Sequence, residues 1–143
     1  MNFEFRPSPD FVKSVKALSK RYPSLKDDLL ALRQSLEQDP YQGVDLGGGL
    51  RKIRMNIRSK GRGKAGGARV ITCNVIISMN DMVIALVYIY DKADASSVKD
   101  EAMKAIVKEM GLLCRRTSIL HSKGCFISGR LRSSFFSLFS LFS

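Results

Sequence analysis

The chain has 143 residues, 45% hydrophobic and 26% charged, and its 24 Lys and Arg outnumber 13 Asp and Glu for a net charge of +11. That length supplies one substantial core rather than two, and the composition is that of an ordinary soluble domain, excluding fibrous and low-complexity classes. No run of 18 apolar residues is present to span a membrane, and the N-terminus MNFEFRPSPD lacks an apolar signal core.

Phe3 and Phe5 alternate with polar neighbours between Asn2 and Arg6, which predicts a short first strand. Ser8 followed by Pro9 suits an N-cap with proline at the first helical position. Phe11, Val15, Leu18 and Tyr22 then form the apolar stripe of a helix that Pro23 stops. Ser24, with Asp27 three residues on, resembles a capping box, and Leu25, Leu29, Leu32 and Leu36 mark a second helix ended by Asp39 and Pro40. The two should form a hairpin whose leucines cover one side of a sheet.

Gly47, Gly48 and Gly49 lead into LRKIRMNIRSKGRGKAGGARVI, residues 50 to 71, which hold Arg51, Lys52, Arg54, Arg58, Lys60, Arg62, Lys64 and Arg69 and no acid. From Lys52 to Arg58, Ile53, Met55 and Ile57 alternate with Lys52, Arg54, Asn56 and Arg58. This is the period of a half-buried strand, and it sets cations side by side on the solvent face. GRGKAGG reads as a flexible basic loop. A strand from Arg69 to Ser78 follows, then a turn at Met79 to Asp81. MVIALVYIY (Met82 to Tyr90) has the composition of a central strand buried on both faces. Ser97 and Asp100 cap a last helix with a stripe of Val98, Ala102, Ile106 and Met110, and Gly111 stops it.

The expected fold is therefore α+β, with a twisted antiparallel sheet, an N-terminal helical hairpin on one face and a short C-terminal helix. The domain should occupy residues 1–112. Residues 113–143, ending in the Phe/Leu/Ser repeat FFSLFSLFS, read as a poorly ordered extension, such as a shifted reading frame would append. Positive charge is focused in residues 46–80 (eight basic residues, no acid) and 113–143 (five, no acid). The remainder holds 11 basic against 13 acidic residues. A cationic patch on a near-neutral body points to a phosphate-rich partner.

Cys73, Cys114 and Cys125 form no CxxC pair, so neither a disulfide framework nor a zinc knuckle is expected and a cytoplasmic location fits. Gly61, Gly63 and Gly66 match GxGxxG, but a strand follows where a dinucleotide site needs a helix. A Walker loop also fails, since Lys64 precedes Ala65. His121 is the only histidine, so no Ser-His-Asp set can be assembled. Tyr88 and Tyr90 share a face and suit either the core or contact with a ligand.

The stretches GGGLRKIR…SKGRGKAGGARVI and YIYDK, with this element order, resemble the RelE/ParE toxin superfamily, HigB-like branch, over about residues 2 to 112. The resemblance implies a toxin that cleaves mRNA on the translating ribosome and is silenced by a cognate antitoxin, without a cofactor. Carried over by position, Lys52 and Arg54 match the basic pair that transfers protons and contacts phosphate. Arg69 matches a phosphate-holding arginine, and Lys92 a lysine after the fourth strand. Ala93 stands where RelE has an arginine, and Lys99 where it has a stacking tyrosine, which leaves Tyr88, Tyr90 or the basic loop to orient the base.

Chemically, the RNA 2′-hydroxyl can attack its own phosphorus, so the protein need only orient the strand, move two protons and offset developing charge. Lysine and arginine suffice for this without a metal. Crowding of like charges favours Lys52 as a base, and arginine forks suit Arg54 and Arg69 to phosphate. Lys52, Arg54, Arg69 and Lys92 are thus the catalytic candidates, with Arg51, Arg58, Lys60, Arg62, Lys64 and Tyr90 as RNA contacts. The alternatives are a solvated basic face that only binds RNA, and a ParE-like inhibitor of DNA gyrase.

Overall fold

The computed structural model describes residues 2–61, 63–94 and 98–111, with only the backbone of Lys64 and Ala65. The tail and the Ser97 cap lie outside them. Strand β1 (Asn2–Pro7) leads to helices α1 (Pro9–Arg21) and α2 (Leu25–Gln38). Strands β2 (Val44–Gly47) and β3 (Leu50–Met55) follow. A 3-10 turn at Arg58–Lys60 and a one-turn helix α3 (Gly63–Gly66) lead to β4 (Ala68–Ile76), β5 (Asp81–Asp91) and helix α4 (Asp100–Glu109).

The five strands form one α+β sheet in the order β1-β5-β4-β3-β2. It is mixed rather than antiparallel. Strands β2 to β5 pair antiparallel in chain order, whereas β1 lies parallel to β5, with Asn2 opposite Asp81 and Pro7 opposite Leu86. Residues 8–80 separate the two strands, and a connection of that length permits parallel pairing. Ser8 carries the ladder into α1. Its N–H donates to the Leu86 carbonyl (2.9 Å), its hydroxyl donates to the Val87 carbonyl (2.6 Å), and the same hydroxyl accepts from the Phe11 N–H (3.0 Å).

Each face of the sheet buries its own cluster. On one, Phe11, Val15 and Leu18 of α1 and Leu25, Leu29, Leu32 and Leu36 of α2 pack on Ile53, Met55, Val70, Ile84 and Ile89, as their stripes predict. On the other, Met103 and Val107 of α4 cover Leu50, Ile71, Cys73, Val83, Ala85 and Val87. Residues of β5 enter both clusters, so its unbroken apolar run is explained. The α4 stripe is centred on Met103 and Val107, with Ile106 and Met110 at its margin and Ala102 exposed.

The capping box on α2 does not form. Ser24 makes no side-chain cap, and its hydroxyl donates instead to the buried Asp28 carboxylate (2.8 Å) while accepting from the Ser59 N–H (2.9 Å). The basic strand ends at Met55, three residues short of Arg58. GRGKAGG contains the single turn of α3 where a loop was expected.

Candidate nucleic-acid interface

Alternation along β3 turns Ile53 and Met55 toward the helical hairpin and leaves Lys52 and Arg54 on the α4 side. Arg54 stands opposite Arg69 of β4, and Arg69 opposite Tyr90 of β5, so the three form one row across adjacent strands. Directly opposed Cβ atoms are about 5 Å apart, so the two arginine side chains start from neighbouring points on one face. Lys52 begins the next row, opposite Ile71 and then Tyr88, and lies diagonal to Arg69 at about 7–8 Å.

Exposure is graded along the main row. Arg54 is exposed, Arg69 retains 8% of its surface with one guanidinium N–H on the Ala68 carbonyl (3.2 Å), and Tyr90 retains 6%. Among the described residues the buried Tyr90 hydroxyl has no hydrogen-bond partner. Burial raises its pKa, which the positive field of Arg69 partly offsets. Its ring lies 6.3 Å from that of the half-buried Tyr88. Two cations, a diagonal lysine and two phenol rings thus share a surface on which β3 and β4 place no acid.

The other candidates are distributed differently. Lys92 is exposed one residue past β5, and its N–H donates to the Gly67 carbonyl (3.2 Å). Arg51 projects from the opposite side of β3 to Lys52. It donates to the carbonyls of Gln42 and Gly43 (3.1 Å each) and pairs with Asp45 (3.7 Å). Arg58 turns toward α2, where Asp28 accepts from its side chain and its backbone N–H (3.2 Å each). Arg62 and the Lys64 side chain lie outside the described residues.

Lys60 is not a solvated cation. Its side chain is 10% exposed and its ammonium donates to Asp91, whose own side chain has no exposed surface. Asp91 also accepts from the Tyr22 hydroxyl, the Arg21 guanidinium (3.4 Å) and the Ala93 N–H (2.9 Å). Burial alone pushes this carboxyl up. The bonds from Lys60, Tyr22 and Ala93 outweigh burial and bring it down to about 2. A buried carboxylate demands such partners, so Lys60 is committed to it rather than to a ligand. Sequence reasoning missed Asp91 and Asp28. The available signal was that Asp91 lies within YIYDK and is the first acid after the turn acid Asp81.

Among the described residues no group of three or more His, Cys, Asp or Glu is placed to hold a metal, and no helix is long and apolar enough to cross a membrane. No family model and no curated protein matches this chain.

Proposed function

We propose that the chain is a RelE/ParE-type toxin of the HigB-like branch, a metal-independent endoribonuclease that cleaves mRNA on translating ribosomes in the cytoplasm and is silenced by a cognate antitoxin. The supporting observation is the row itself, in which Arg54 and Arg69 face each other on neighbouring strands, with Lys52 two residues from Arg54 on β3 and diagonal to Arg69. On this reading the two arginines hold the scissile phosphate and offset the charge that builds on it. Lys52 takes the 2′-hydroxyl proton. Lys92, one residue past β5, serves the departing 5′-oxygen, and the half-buried Tyr88 offers a ring to a base while Tyr90, 6% exposed, backs it from the core.

The test is an in vitro translation reaction followed by primer extension on the message, comparing wild type with Lys52→Ala, Arg54→Ala and Arg69→Ala. Stops in register with codons, lost in the variants, support the reading. Uncut messages together with DNA breaks in a gyrase assay would replace it with a ParE-like activity. Binding without any cleavage would reduce it to an RNA-binding homologue.

A further inference from the structure

The main row leaves Asp91, the most enclosed acid near it, without a part. Asp91 follows Tyr90 directly and stands opposite Ala68, the neighbour of Arg69, so it occupies the strand ends from which the row is built. Alternation turns it to the hairpin side, where Tyr22 joins it from just past α1. Its bond to Lys60 crosses to the beginning of the basic loop. A second link closes the loop at its other end, where the Gly67 carbonyl accepts from the Lys92 N–H at 3.2 Å. Gly67 is packed so tightly that a Cβ there would lie 2.2 Å from the Met55 carbonyl oxygen. The loop is thus clamped at both ends to the end of β5, at Asp91 and at the Lys92 N–H just past it, by groups that do not face the row.

We infer that Asp91 is a positioning residue: through Lys60 it latches the base of the basic loop to the end of β5 and so keeps Arg69 and Tyr90 aligned with Arg54. The inference rests on the nuclease reading for its consequence in catalysis and on the fold alone for the latch. It assigns Lys60 to the latch and takes it out of the set of phosphate contacts.

Three measurements on the full chain separate these roles, using Lys60→Met, Lys60→Arg and Asp91→Asn. In Lys60→Met the latch should open, so the Lys92 amide exchanges with solvent faster while amides in the middle of β4 and β5 keep their rates. Cleavage on ribosomes should fall in kcat, on the order of 10²-fold, with KM near the wild-type value, because misplacement rather than lost binding is responsible. The salt dependence of binding to single-stranded RNA should keep its wild-type slope. Lys60→Arg should restore part of kcat, and Asp91→Asn should reproduce the Lys60→Met pattern. A slope lowered by about 0.7 in Lys60→Met, with Lys92 exchange as in wild type, would make Lys60 a phosphate contact and overturn the latch. Unchanged exchange and unchanged kcat would overturn it too. A wild-type chain that leaves mRNA intact refutes the nuclease reading instead, and the exchange rates then decide the latch by themselves.

Discussion

Among the described residues, Asp91 and Cys73 are the two side chains whose chemistry is most altered by where they sit. The Asp91 carboxyl falls from an ordinary 3.8 to about 2 because its donors outweigh burial. A lowered folded value means that its contribution is full above about pH 4, shrinks as the pH falls and is gone below about pH 2. It amounts to about 2 kcal/mol. Urea titrations between pH 5 and pH 2 should show wild type losing about that much more stability than Asp91→Asn. Burial pushes the Cys73 thiol up to about 11, so at pH 8 it is protonated and enclosed. Peptide mapping after iodoacetamide treatment should find Cys73 unmodified in native protein and labelled in denaturant. At this scale Lys52, Arg54 and Arg69 were legible because alternation fixes faces within a strand. Arg58 and Lys60 were not, because the chain leaves the strand at Met55 and their directions are set by Asp28 and Asp91, acids distant in sequence.

Element boundaries depend on a few backbone contacts. Ser8 both caps α1 and extends the ladder to Val87, so Ser8→Ala should cost about 1–2 kcal/mol, read as a shift in the denaturant midpoint with unchanged slope. Gly67→Ala should cost about 3 kcal/mol in the same assay, since the added carbon meets the Met55 carbonyl oxygen, which cannot move aside. The helical hairpin was readable because Ser-Pro, the prolines and two leucine-rich stripes all agree. Strand β2 was missed: four residues, VDLG, with a bulge before Gly47, carry no periodic signal. The α4 stripe was only partly placed, because a short helix with apolar residues at 102, 103, 105, 106 and 107 offers two overlapping faces, and only the sheet beneath selects one.

For the molecule as a whole, the +11 charge is a statement about partners rather than fold. If the three clustered cations each meet a phosphate, each alanine substitution should lower the slope of log K against log salt for single-stranded RNA by about 0.7. Substitution of Arg51, held by the Gln42 and Gly43 carbonyls, should leave that slope unchanged. The α+β class, the two covered faces and the clustered basic face were legible from periodicity and charge. The direction of β1 was not, because alternation reports which face a side chain takes and says nothing of which way a neighbouring strand runs.

The parallel pairing of β1 with β5 also sets an order of events during synthesis. The first strand made must wait for the last, since Asn2 meets Asp81 across 79 positions of chain. Until that segment leaves the exit tunnel, the nascent chain has α1 and α2 with no complete sheet beneath them. Tyr90 and Asp91 arrive at the end of the same strand, so assembly of the cationic row coincides with closure of the core. A polypeptide stopped before residue 91 should therefore be degraded as unfolded material and should never be a partly active protein.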